Sequence, residues 1–72
     1  MRINLNSVKD IQEFVNIASR FSDDIDVSSN RSIVDAKSIM GLFSLDLSKP
    51  VEVITKGNQS DNIYAAFSKY AS

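Results

Sequence analysis

The stretch that decides the fold is residues 37–45, which run Lys-Ser-Ile-Met-Gly-Leu-Phe-Ser-Leu. Ser38 stands where a hydroxyl can begin a short helix, because a side-chain oxygen accepts hydrogen bonds from N–H groups that lack a partner in the first turn. The residues after it are too apolar to be explained by covering one face of a two-turn helix. We therefore predict a short helix within residues 37–47, some of whose apolar side chains are exposed.

Alternating polar and apolar residues predict strands on both sides of this helix. Residues 23–28 and 32–36 alternate in this way, and Asn30 between them tolerates the positive φ angle of a tight turn. This pattern predicts a hairpin. After the helix, Pro50 opens a further alternating stretch, residues 51–55, before Gly-Asn breaks the pattern.

The two ends of the chain add a strand and two amphipathic helices. Residues 2–6 alternate as a short strand, and Ser7 with Asp10 resembles a capping box at the start of a helix. Ser60 is the predicted cap of the last helix. The apolar stripes at helical spacing are Val8, Ile11, Phe14, Val15, Ala18 and Phe21 in the first helix, and Ile63, Ala66, Phe67 and Tyr70 in the last.

This order of elements, βαββαβα, predicts an α+β fold. Four short strands form an antiparallel sheet, and three helices cover one of its faces, as in an open-faced β-sandwich. A chain of 72 residues is near the lower limit for folding without disulfides or metals, so we predict a single domain over residues 1–72.

Composition excludes several chemistries. The chain has no histidine and no cysteine, so histidine acid–base or phosphoryl-carrier chemistry and thiolate nucleophiles are excluded. No serine-hydrolase triad of the usual form is present, and no glycine-rich phosphate loop. Asp23, Asp24 and Asp26 lack the spacing of a calcium loop and are interpreted as a solvated strand face. We expect no enzymatic activity, no cofactor and no metal site.

Charge and hydropathy indicate the kind of partner. Eight basic and nine acidic residues give a net charge of -1, and no cluster of Lys and Arg is present, so nucleic-acid binding is not expected. The apolar runs are short and no basic segment precedes one, which predicts neither a membrane span nor a signal peptide. We expect a cytoplasmic protein whose partners are other proteins.

Two segments resemble a known family. Residues 37–45 closely resemble the regulatory-serine region of HPr, the small phosphocarrier of the bacterial sugar phosphotransferase system. Ala18-Ser19-Arg20-Phe21 is similar to the end of that family's first helix, and from there to Glu52 the register against Gram-positive HPr runs without gaps. The resemblance implies the HPr-like open-faced sandwich that the element order also predicts.

The same register implies that the family's active-site histidine is missing. HPr opens its first helix with histidine, alanine, arginine and proline, and the aligned positions place Ser7 at the histidine and Lys9 at the arginine. A neutral imidazole is a good nucleophile whose phosphoramidate passes its phosphoryl group onward, whereas a serine hydroxyl is un-ionised and forms a stable ester. We therefore expect that the chain is not a histidine phosphocarrier, and interpret Ser7 as a helix cap.

The regulatory serine of the family is retained as Ser38. The resemblance implies that HPr kinase/phosphorylase phosphorylates this residue, that Ile39, Met40 and Phe43 form a docking patch, and that the phosphorylated form acts with a catabolite regulator in carbon catabolite repression. A paralogue, the catabolite-repression HPr, also lacks the histidine and keeps the serine. Two alternatives stay open: a component that still acts in sugar uptake, and a structural partner protein in which Ser38 is only a cap.

Overall fold

Four strands and three helices follow one another in the computed structural model, which describes residues 1–72. In chain order the elements are β1 (Arg2–Ile3), α1 (Val8–Ala18), β2 (Ile25–Ser29), β3 (Ser32–Asp35), α2 (Ile39–Phe43), β4 (Val51–Thr55) and α3 (Ser60–Ala66), with a 3-10 turn at Ser68–Tyr70. This order, with an antiparallel sheet, confirms the predicted α+β open-faced sandwich.

The sheet has the order β1-β4-β2-β3, and all its pairings are antiparallel. β2 and β3 form the predicted hairpin, which closes at the pair Ser29 and Ser32. Asn30 in the turn has a φ of 55°, as its sequence position predicted, because asparagine tolerates the left-handed region better than most residues. β1 lies at one edge and β3 at the other.

The core lies between the sheet and the helices. Alternate residues of the strands point inward, and Ile25, Val27, Val51 and Val53 are almost completely buried. From the helices, Phe14 and Phe67 stack with ring centroids 4.4 Å apart, which joins α1 to the end of α3. The core comprises Ile3, Leu5, Ile11, Phe14, Ala18, Ile25, Val27, Ala36, Leu42, Leu45, Val51, Val53, Ile63, Phe67 and Tyr70.

Several predicted boundaries were wrong by a few residues. β1 ends at Ile3 rather than at residue 6, although Leu5 still reaches the core. The short helix α2 has five residues, so much of the stretch from 37 to 47 is turn. α1 ends at Ala18, and Phe21 packs against the core from beyond the helix. Local periodicity does not define the point at which tertiary packing ends an element.

Two assigned roles are also corrected. Val8 was predicted on the buried stripe of the first helix, but it is 57% exposed, because the stripe that meets the core begins one turn later at Ile11. Ser60 was predicted to cap the last helix. It is instead the first residue of α3, the cap position is Gln59, and the Ser60 hydroxyl donates to the Gly57 carbonyl.

A polar clamp ties the end of the chain to α1. The Glu13 carboxylate accepts a hydrogen bond from the Tyr70 hydroxyl at 3.1 Å and pairs with the Lys69 ammonium, also at 3.1 Å. Two hydrogen bonds hold the pKa of the Glu13 carboxyl below its usual value: the one from Lys69 has the larger effect, and the one from Tyr70 has the smaller. Burial, followed by the bond to Glu13, raises the pKa of the Tyr70 hydroxyl.

We expect Phe67→Ala to lower the free energy of unfolding by about 3–5 kcal/mol, since it removes a fully buried ring and leaves a cavity beside Phe14. Phe43→Ala is the matched control, because Phe43 is 47% exposed and should cost about 1 kcal/mol or less. Urea unfolding followed by circular dichroism measures both. Equal losses in the two variants would contradict the proposed core.

We expect Glu13→Gln to remove a pH-dependent part of the stability. Because the carboxyl pKa is lowered in the folded state, the contribution of Glu13 is present above the ordinary carboxyl pKa and is lost as pH falls through the lowered value. The wild-type advantage in urea midpoint should therefore be present at pH 7 and decrease as the pH falls through the lowered pKa of the Glu13 carboxyl. Asp24→Asn makes the same change from carboxylate to amide at an exposed residue with no hydrogen bond in the structure, and is the matched control for the comparison.

Candidate docking and phosphorylation site

Ser38 begins α2 and lies between that helix and β3. Its Oγ accepts a hydrogen bond from the Gly41 amide at 3.1 Å, and its own amide donates to the Asp35 carbonyl at 3.0 Å. The Asp35 carboxylate accepts from the Lys37 amide at 2.9 Å, which fixes the turn that leads into the helix. The backbone at Ser38 is extended, with φ -105° and ψ 107°, as a helix cap requires.

Gly41 allows this small unit to pack closely. A Cβ added at Gly41 would lie 3.1 Å from the Val34 Cβ and 3.2 Å from the Ser38 Oγ. The helix therefore approaches β3 and its own cap more closely than a larger residue would allow without some adjustment. Leu42, on the inner side of the helix, is fully buried. These contacts hold a helix of only five residues in place, which its intrinsic helical propensity would not do.

The predicted docking residues differ in exposure. Met40 is 77% exposed and Phe43 is 47% exposed, so two large apolar side chains beside Ser38 face outward. Ile39 is half-buried and packs against the core, so it presents less surface. We call Ile39, Met40 and Phe43 the α2 patch. Met40 and Phe43 therefore expose apolar surface close to the half-buried Ser38.

Ser7 caps α1 in the same manner. Its Oγ accepts from the Asp10 amide at 3.1 Å, and the Asp10 carboxylate accepts from the Asn6 amide at 3.2 Å. The reciprocal bond thus goes to the residue before the cap rather than to the cap itself. Ser7 and Lys9 are both exposed, and no side chain contacts the Ser7 hydroxyl as a base. This geometry accounts for Ser7 as a helix cap.

The sequence did not reveal that Val8 adds to the exposed apolar surface. Val8 lines a shallow depression together with Ser7 and with Leu47 and Ser48, which follow α2 in the chain. Helical spacing alone assigns Val8 to the buried stripe, and only the tertiary position of the first turn exposes it. The start of α1 and the segment after α2 therefore share one surface.

Asp23, predicted as part of a solvated strand face, lies before β2 and has a structural role. The Asp23 carboxylate accepts a hydrogen bond from the Gln59 amide at 3.3 Å. It also lies so close to Gly57 that a side chain at that position would collide with it. Asp23 thereby fixes the loop between β4 and α3.

The longest helix has 11 residues, and none is long and apolar enough to cross a membrane.

Comparison with known families supplies the deciding observation. The sequence model described as the PTS HPr component phosphorylation site matches residues 8–72. The chain belongs to the HPr family. It is thus a phosphocarrier-like protein of the phosphotransferase system, and the predicted resemblance is confirmed. The match begins at Val8, so the assignment of Ser7 to the histidine position stays a prediction.

Solved structures of HPr proteins have the same fold. HPr-C-His from Thermoanaerobacter tengcongensis is 30% identical with a TM-score of 0.82, and the alignment covers 96% of this chain and 83% of that one. HPr from Bacillus anthracis str. Ames is 26% identical with a TM-score of 0.80, covering 100% and 94%. The catabolite-repression protein Crh of Bacillus subtilis is 28% identical with a TM-score of 0.75, covering 97% and 82%. Among curated proteins no sequence match is found.

We expect Ser7→Ala and Ser38→Ala each to lower the free energy of unfolding by about 0.5–2 kcal/mol, because each leaves a helix N-terminus without its side-chain acceptor. Ser19→Ala is the control, since Ser19 ends α1 through its backbone alone. Urea unfolding measures all three. Losses no larger than that of the control would contradict the capping role.

Proposed function

We propose that this HPr-family protein is a regulatory adaptor rather than a histidine phosphocarrier, and that phosphorylation of Ser38 controls the docking of a protein partner on the α2 patch. The observation that carries the proposal is the position of Ser38 as the cap of α2, two residues before the exposed Met40 and close in sequence to Phe43. A change at this hydroxyl alters the surface at which a partner would bind.

The relay function of the family requires chemistry that this chain lacks. It has no histidine at any position. Ser7, which the register places at the histidine, has its Oγ bonded to the Asp10 amide and has no base beside it. A serine phosphate formed there would be a stable ester, which does not pass its phosphoryl group onward as a phosphoramidate does. This reasoning favours a protein that receives a signal over one that carries phosphate to a sugar.

A phosphate on Ser38 would change the patch in two ways. It adds a charge of about -1.5 to -2 to a chain whose net charge is -1. It also places three acceptor oxygens beside Met40, so that an apolar surface becomes a mixed one. A partner that requires an apolar surface would lose affinity, and a partner that presents Arg or Lys would gain it. The hydroxyl is only half-buried, so a kinase needs little rearrangement to reach it.

The expected partners follow from the family. HPr kinase/phosphorylase is the enzyme expected to modify Ser38, and a catabolite regulator is the expected reader. The similarity to Crh supports this assignment, since that Bacillus subtilis protein is described as a catabolite-repression protein. We propose that both partners are proteins, and that they approach the start of α2.

Incubation with HPr kinase and ATP should place one phosphate on the wild-type chain and none on Ser38→Ala. Ser7→Ala is the matched control, because it removes the other capping serine and should still be phosphorylated. Intact-mass measurement followed by peptide mapping identifies the site. Absence of phosphate on the wild-type chain, under conditions that modify genuine HPr, would refute the kinase assignment.

The competing role in sugar uptake is tested in the same samples. With phosphoenolpyruvate and the energy-coupling enzyme of the phosphotransferase system in place of kinase and ATP, we expect no phosphate on the chain, whereas genuine HPr is labelled. A heat-labile or acid-labile phosphate would show that another residue accepts the phosphoryl group, and the adaptor proposal would then be wrong.

A further inference from the structure

The two edge strands of the sheet, β1 and β3, differ in whether other parts of the chain pair with their outer backbone groups. At the β1 edge the end of the chain supplies partners, since the Ser72 amide donates to the Arg2 carbonyl at 3.0 Å, the Asn4 amide donates to the Tyr70 carbonyl at 2.8 Å, and Ile3 bridges to Ala71. β3 pairs only with β2. It contains no proline and no lysine, which often protect an exposed edge.

The free backbone groups of β3 can be assigned from its pairing. The Ala36 amide donates to the Ile25 carbonyl of the neighbouring strand at 2.9 Å. Backbone groups alternate in direction along an antiparallel strand, so those of Val34 also point to β2, whereas those of Ile33 point to the open edge. The Ile33 side chain is 63% exposed. An apolar residue thus sits at the middle of an unpaired edge.

The charges that flank Ile33 are of opposite sign. Arg31 lies two positions before it and Asp35 two positions after it, and both are exposed. Neither belongs to an ion pair of the chain, as the two ion pairs are Met1 with Glu52 and Lys69 with Glu13. Asp35 is also paired across the sheet with Asp26, and like charges in that position repel each other. Asp35 is therefore well placed to gain from a cation at the open edge.

We infer that β3 pairs with β3 of a second copy of this chain, in an antiparallel register centred on Ile33. In that register Ile33 of each copy exchanges backbone hydrogen bonds with the other, and Arg31 of each copy lies opposite Asp35 of the other. A parallel in-register pairing would place Arg31 opposite Arg31 and Asp35 opposite Asp35, whereas the antiparallel register places opposite charges together. The two sheets would form one continuous sheet of eight strands.

Such an interface is small. Five residues from each copy meet, so the area that they bury is well below the roughly 1,000 Å² of a stable interface. The dimer should therefore be weak and concentration-dependent. The net charge of -1 per copy adds little repulsion. The inference concerns the unphosphorylated chain, because the Asp35 carbonyl accepts a hydrogen bond from the Ser38 amide and the edge therefore adjoins that residue. The side chains of the α2 patch are not part of the edge.

Dilution of the labelled full-length chain, followed by amide NMR, tests the pairing. Between about 1 mM and about 0.05 mM we expect the amide resonances of residues 31–35 to shift, together with a fall in the mass by sedimentation. Shifts confined to the α2 patch, or no change at all, would overturn the inference. Met40→Ser should leave the dilution behaviour unchanged, because it alters only that patch.

Variants that reverse the charge at position 31 or position 35 give the decisive measurement. Arg31→Glu and Asp35→Lys each place like charges opposite each other twice, so each variant alone should lose about tenfold in dimer association. Mixed together, the two variants restore both opposite-charge pairs and should form a heterodimer at about the wild-type strength. Circular dichroism establishes that each variant is folded. When both variants are folded, a mixture that stays monomeric contradicts the inference. If Asp35→Lys loses its turn and unfolds, Arg31→Glu with wild-type sedimentation still contradicts it.

Discussion

The stack of Phe14 on Phe67 is the contact on which the rest of the structure depends. It joins the first helix to the end of the last, and both rings are fully buried over the sheet. In a chain without disulfides, the burial of such large side chains supplies much of the free energy that offsets chain entropy. The contacts of Glu13 with Lys69 and Tyr70 lie at the same junction and link α1 to the 3-10 turn that follows α3. With the helices so placed, one sheet face is covered and the other is left open.

The short helix α2 is held by a different and more local set of contacts. Ser38 supplies its cap, Gly41 permits its close approach to β3, and Leu42 anchors it in the core. The outer side of the helix contributes little to these contacts, which leaves Met40 and Phe43 free to interact with other molecules. Packing and the proposed recognition therefore use largely different sides of a single short helix, and only Ile39 of the α2 patch also packs against the core.

The order of elements could be predicted from the sequence because each element has its own local signal. Asn30 marked the hairpin turn, alternation marked the strands and the apolar stripes marked α1 and α3. Val8 was misassigned because the helical spacing of apolar residues begins one turn before the stripe that reaches the core. Ser60 was misassigned because the cap position is one residue earlier, at Gln59. Their environment depends on where α1 meets the core and where the loop held by Asp23 ends, which are tertiary facts. For the candidate site, sequence could name Ser38 and its apolar neighbours, but not that Ile39 is half-buried while Met40 projects outward.

The cap geometry at Ser38 has a consequence for how this position should be interpreted in other genomes. Aspartate, asparagine and threonine all accept hydrogen bonds at a helix N-cap, so the need to begin α2 does not by itself demand serine. A relative with asparagine, aspartate or threonine at position 38 would keep the helix cap, and with asparagine or aspartate it would lose the proposed phosphorylation site. An aspartate introduced there would likewise act first as a cap, with its carboxylate already bonded to the backbone, and would be a poor imitation of the phosphorylated protein.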